Sequence, residues 1–178
     1  MSLNYSDIFY EDYNGVRWDT TEPSTDISWS TVDDDLLIPF EGIEVQAAVP
    51  SEPYMSLFRS AFNLWDSALE SLSFSETDLG NDADVTLAIT ELDGSGNVAG
   101  FWNSSWSGEK INKSSIRFDI ADIESQDLLT TAAHEIGNVL GLGDIKPTGD
   151  IRSVQEDPFP EDISEKSLWP DDINLIRS

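Results

Sequence analysis

TTAAHEIGNVLGLGD, residues Thr130 to Asp144, contains the only histidine of the 178-residue chain. The stretch Leu128–Leu140 reads as a helix with Ser125 or Asp127 available as its cap, and Gly141 and Gly143 stop it. On a helix, side chains four positions apart share a face, so His134 and Asn138 point at one spot. A metal held there needs a third ligand from beyond the helix, and Gly141 lets the chain turn back to deliver Asp144. Glu135, beside the first ligand, stands where a general base for a metal-bound water would sit. H-E-x-x-N-x-x-G-x-x-D thus has the layout of a catalytic zinc site with one altered member. An imidazole is a strong zinc ligand, whereas a carboxamide oxygen is a poor, hard one. The expected ligands are His134, Asp144 and, weakly, Asn138. Even the loss of an outer partner costs about 10–100-fold in affinity, so zinc is expected to bind weakly or not at all. The same residues also fit a helix histidine held by packing or hydrogen bonds without a metal, with Glu135 an ordinary helix carboxylate.

Upstream, PYMSLFRSAFNLWDSALESLSF opens with Pro53, a favourable first-turn residue. Leu57, Phe58, Ala61, Phe62, Trp65, Ala68, Leu69 and Leu72 then fall at three-and-four spacing, which predicts one long amphipathic helix reaching Phe74 with Met55 and the aromatics in the core. Alternation predicts strands at Asp26–Val32 and Asp84–Glu91, with shorter ones at Val98–Trp102 and Ser115–Asp119. Asp33–Pro53 reads as loop, Asp144–Lys166 as irregular, and Trp169–Ile176 as a short closing helix. Residues 1–25 read as an extended arm and residues 26–178 as a single domain. Strands before and after a long helix, without βαβ regularity, give an α+β fold on a mixed sheet.

The chain carries 35 acidic against 9 basic residues, a formal net charge of −26. A field of that sign repels nucleic acid and anionic lipid, so neither nucleic acid nor membrane is an expected partner. Six Trp and eight Phe within a 39% hydrophobic composition argue for a packed core rather than disorder. The absence of cysteine excludes disulfides, thiolate metal sites and cysteine nucleophiles. No basic n-region or long apolar run marks a signal peptide at the N-terminus or a spanning helix.

Calcium takes six to eight oxygens from carboxylates and carbonyls. Asp93 to Val98, DGSGNV, supplies a carboxylate and a turn-prone backbone, and Asp119 and Asp122 follow with the spacing to close a cage. A plain turn beside a solvated acid pair is the alternative.

HEIGNVLGLGD resembles the metzincin zinc peptidases, particularly the matrixin catalytic domain and more loosely the serralysin one. AFNLWDSALESLSF followed by DADVTLAI is similar to the first matrixin helix and the strand after it. LDGSGNVAG resembles its calcium loop, IRFDIAD the strand leaving that loop, and PDDINLI its last helix. The resemblance implies a zincin-like twisted mixed β-sheet with a long packing helix, an active-site helix and a short C-terminal helix. It also implies Glu135 as catalytic residue, zinc at His134, Asn138 and Asp144, and Gln155 where the family places its methionine turn. Calcium is implied at Asp93, Gly94, Gly96, Val98, Asp119 and Asp122. The family's structural zinc needs histidines where this chain has Phe101 and Arg117, so that ion is not expected. Zinc-dependent peptide-bond hydrolysis is the ancestral reaction, with a monomeric, extracellular protein and a peptide or protein in the cleft. The altered ligand leaves three readings open. They are an impaired peptidase, a pseudopeptidase that binds peptides by strand addition, and a plain acidic calcium-binding domain.

Overall fold

The computed structural model describes residues 17–19, 25–32, 37–40, 43–96, 98–123, 128–146, 153–155, 168 and 170–177. The expected helix caps Ser125 and Asp127, and most of the irregular Asp144–Lys166 segment, lie outside them. Seven strands form one sheet: β1 (Thr25–Thr31), β2 (Leu37–Phe40), β3 (Ile43–Ala48), β4 (Leu72–Glu76), β5 (Val85–Thr90), β6 (Gly100–Ser107) and β7 (Lys110–Asp119). Three α-helices accompany them among the described residues: α1 (Glu52–Ala68), α2 (Leu128–Val139) and α3 (Pro170–Arg177). The central order is β4-β1-β5-β7-β6, parallel except for β6, which runs antiparallel to β7. The fold is therefore the mixed sheet with few helices that the sequence predicts.

Three expectations fail for local reasons. The first helix ends at Ala68, not Phe74, because SLSFS switches from the helical period to strict alternation. Leu69 becomes extended, and Leu72–Glu76 pairs in parallel with β1, with Phe74 opposite Ile27. Asp66 fixes the return by accepting the Phe74 backbone N–H at 2.9 Å. Asp33–Pro53, read as loop, contains the β2–β3 hairpin, in register Leu37 with Gln46. Among the described strands β2 pairs only with β3, so Pro39 sits in an edge strand where its missing N–H is tolerated. The two short strands at Val98–Trp102 and Ser115–Asp119 are parts of a longer β6–β7 hairpin. Its serine-rich outer half is exposed and so lacks the apolar signal of a buried strand.

The sheet buries both faces. On one, α1 and α2 cover Ile27, Trp29, Leu87, Ile116 and Phe118. Phe58 stacks on Phe118 at 4.7 Å between centroids, and Trp29 on Phe62 at 4.4 Å. On the other, Val32, Val45, Ala47, Ala88 and Leu92 form a smaller cluster with Val98 and Phe101 against it. Ala88 lies between Leu87 and Ile89 on β5, and alternation along a strand puts it on the opposite side. Residues 17–19, from the stretch read as an arm, run beside the start of β7, where Ile111 N–H donates to Arg17 O at 2.8 Å. Trp18 is buried there, and its indole N–H donates to Val139 O at 2.9 Å. No helix among the described residues is long and apolar enough to cross a membrane.

Phe58 is 1% exposed within this core, whereas Leu57, expected on the same apolar face, is 36% exposed. Phe58→Ala is expected to cost about 3–5 kcal/mol, and Leu57→Ala about 0.5 kcal/mol or less, measured by urea unfolding.

Candidate functional site

α2 is apolar or small on nearly every side and is buried along its length, as an all-round apolar helix should be. Gly141 ends it at φ 96°, with Leu142 N–H donating to Gly137 O and Gly141 N–H to Asn138 O. This Schellman turn reverses the chain and brings Asp144 back over the helix face that carries His134 and Asn138.

The His134 ring is gripped at both nitrogens. Nδ1 lies 2.8 Å from Val154 O, and since a carbonyl can only accept, Nδ1 carries the proton. Nε2 faces Asp144 Oδ1 at 3.1 Å, and Asn138 Nδ2 donates to that same oxygen at 3.2 Å. Burial opposes a charged imidazole, but the Asp144 hydrogen bond and the charges of Glu135 and Asp144 outweigh it and raise the His134 pKa. Burial also disfavours charge on Asp144, yet His134 and Asn138 hold its carboxyl below the ordinary range. Glu135, packed inside, is pushed up to about 7 by burial, with the His134 charge pulling the other way. Its Oε2, Asn138 Oδ1 and Gln155 Oε1 are buried without a hydrogen-bond partner.

Of the residues that support this cluster the sequence reading named Gln155, at the methionine-turn position, and missed the roles of Val154, Asp172, Trp65 and Gly100. Gln155 Nε2 donates to His134 O at 2.8 Å, so consecutive residues Val154 and Gln155 hold the histidine by ring and by backbone. Asp172 on α3 is fully buried and accepts from Ser153 Oγ and, at 2.9 Å, from Val154 N–H. Trp65 donates its indole N–H to Ala133 O at 2.9 Å. Gly100, at the start of β6, lets that strand cross Glu135, since a Cβ there would lie 2.7 Å from Oε1. A buried aspartate in the first turn of PDDINLI was the available signal, but helix-start acids are common and usually solvated.

These donors do not match a tetrahedral zinc site. Such a site needs three strong protein ligands and an open position. Here one imidazole and one carboxylate face each other, and Asn138 presents an N–H, not an oxygen, to the shared acid. No group of three or more His, Cys, Asp or Glu side chains able to hold a metal is found among the described residues.

The structure also gathers the six residues expected to hold calcium. Asp119 Oδ2 accepts the N–H groups of Leu92, Asp93 and Gly94, and Oδ1 accepts that of Ala121. Asp122 Oδ1 accepts from Gly96 N–H at 2.8 Å and Ser95 Oγ at 3.2 Å, while Asp93 Oδ1 accepts from Val98 N–H at 3.2 Å. Gly94 and Gly96 take φ 88° and 89°, the left-handed region that this tight loop requires. Burial would raise the Asp119 pKa, but its backbone hydrogen bonds lower it. Beside the loop, Phe101 and Arg117 are cross-strand neighbours, with the guanidinium 5.9 Å from the ring centroid.

No family model matches the chain, and comparison with curated proteins gives no match. Among solved structures, the chain is similar to archaemetzincin from Methanopyrus kandleri, with 12% identity and a TM-score of 0.50 over 88% of this chain and 96% of that one. It also matches a chain of the GM1-bound ECX AB5 holotoxin at 20% identity and a TM-score of 0.40, covering 75% of this chain and 59% of that chain's length. The archaemetzincin match supports a zincin-like fold for this chain.

Two outcomes test this geometry. Gly137→Ala would ordinarily stabilise a helix by about 1 kcal/mol, but its Cβ would collide with Gln155 Nε2 and lie 3.0 Å from Trp65 Cζ2. It is expected to destabilise by about 1–3 kcal/mol, with Gln155→Ala in the same chain recovering part of the loss in chemical unfolding. Asp119→Asn replaces an accepting oxygen by a donor facing backbone N–H groups and is expected to cost about 1–3 kcal/mol at pH 7. Because folding depresses this carboxyl, its stabilisation is present above about pH 4 and fades as pH falls through the folded value. The gap between wild type and variant should therefore narrow in acid, read from urea midpoints across pH.

Proposed function

We propose that this chain is a metallopeptidase-like domain in which a hydrogen-bonded charge pair has replaced the catalytic metal, leaving a peptide-binding module. The observation that carries the reading is the convergence of His134 Nε2 and Asn138 Nδ2 on one oxygen of Asp144. Two donors already meet the acid that would serve as third ligand, and the second-ligand position contributes a proton instead of a lone pair. The similarity to archaemetzincin in fold supports descent from a zinc-peptidase plan.

Binding needs no metal. β6 pairs only with β7 among the described strands, and its first residue packs against Glu135 of α2. An extended peptide laid along the outer edge of β6 would gain main-chain hydrogen bonds and lie over the former catalytic helix. In this reading the Asp93–Val98 loop supports the fold through its amide-to-carboxylate bonds.

Metal analysis of the purified protein, zinc titration and a peptide-cleavage assay test the proposal. Wild type is expected to hold sub-stoichiometric zinc and to leave casein uncut. Asn138→His is expected to raise zinc affinity by at least about 10–100-fold. Stoichiometric zinc in the wild type with chelator-sensitive cleavage would overturn the reading and restore the enzyme.

A further inference from the structure

A cavity of about 580 Å³ opens between β3 and the C-terminal end of β5, on residues that take no part in the His134 cluster. Its origin is a short join. β3 and β5 pair only through Ala47 with Thr90 and Ala48 with Ile89. Continued register would set Gln46 against Glu91 and Val45 against Leu92, but there the segments part and the groove lies between them.

The lining has three chemical features. Its floor is apolar, with Val45, Ala47 and Leu92 buried and Ile120 on the rim 49% exposed. A smaller cavity of about 260 Å³ continues past Ile120 to Val49, which is 45% exposed. One wall carries Glu44 and the other Glu91, both exposed, and neither Lys nor Arg lines the groove among the described residues. Within it Thr90 is 3% exposed, yet its Oγ1 has no hydrogen-bond partner. A buried hydroxyl without a partner is uncommon in a folded protein, and here it belongs to a residue that lines the groove.

We propose that this groove binds an extended, cationic peptide segment of a partner protein. An apolar side chain of that segment enters between β3 and β5, flanking lysines or arginines meet Glu44 and Glu91, and a backbone N–H donates to Thr90 Oγ1. Charge selects this occupant. Residues 1–16 of the chain itself contain Asp7, Glu11 and Asp12 and no lysine or arginine, so they lack the side-chain cations that would complement the acidic rim. A second copy brings a net charge of −26 to the same rim. A partner with Lys or Arg at alternate positions suits an extended chain, whose side chains on one side recur every two residues. The site stands or falls independently of the zinc question.

The test uses the full chain and a fluorescein-labelled peptide alternating lysine with valine, followed by anisotropy and by amide chemical-shift mapping. The expected result is saturable binding that weakens at least about tenfold between 50 and 500 mM NaCl, as a charge-driven contact should. Shifts should centre on residues 44–48 and 89–92. The pair Glu44→Lys with Glu91→Lys should weaken binding at least tenfold. The pair Glu70→Lys with Glu109→Lys, the same charge change at exposed sites off the groove, should change it less than twofold. Thr90→Val, which keeps shape and removes the hydroxyl, should weaken binding severalfold with an unchanged melting temperature. Equal loss from both reversal pairs would assign the binding to diffuse surface charge and overturn the proposal. Shifts centred on β6 and α2, on residues 1–16, or no binding at all would do the same. So would a dimer in sedimentation that the Glu44–Glu91 reversal dissociates.

Discussion

The hydrogen bond from His134 Nδ1 to the Val154 carbonyl sets the orientation of the whole cluster. With Nδ1 committed as donor, Nε2 faces Asp144, the acid that Asn138 also meets. Gln155 holds the backbone of the same histidine while Asp172 fixes the segment that carries both grips. Polar groups buried this deeply are costly unless paired, and Glu135 Oε2, Asn138 Oδ1 and Gln155 Oε1 carry that cost because they lack a hydrogen-bond partner.

The sheet and helices make such a cluster possible. α2 can be buried on nearly every side because β6 crosses it at a glycine, α1 packs beside it, and two indoles, from Trp65 and Trp18, donate to its carbonyls. Neither indole N–H is left unpaired in an apolar interior, which is the usual condition for burying tryptophan. The cost of so dry a setting falls on Glu135, whose carboxyl is pushed toward neutrality by the desolvation that shelters its neighbours.

Much of this was legible from residue order. Periodicity marks α1, α2, β1 and β5, and the spacing of His134, Glu135, Asn138 and Asp144 places them in one cluster. What escaped had physical causes. β4 follows α1 so closely that its alternation merges into the helical pattern, and only the serines at 71, 73 and 75 betray the change of period. The β2–β3 hairpin is short, interrupted by Pro39 and flanked by acids, all features of loops. Val154 and Asp172 act through a carbonyl and through distant pairing, which no local spacing encodes. The carboxylate-rich loop shows the opposite case. Its residues do converge, but with amide protons rather than carbonyl oxygens turned toward the acids, a distinction that side-chain identity alone does not carry.

The two ends of the described chain both close on α2. Trp18 reaches it across 121 positions, and Asp172 steadies it through contacts 18 and 19 positions back along the chain. During vectorial synthesis the helix is made long before the aspartate that completes its surroundings. A nascent chain halted before that point would show largely complete sheet hydrogen bonding, yet it would hold its lone imidazole in an unfinished, wetter environment. Long-range closure of this kind is slow relative to local helix formation, so the polar interior is expected to be the last part of the protein to become dry.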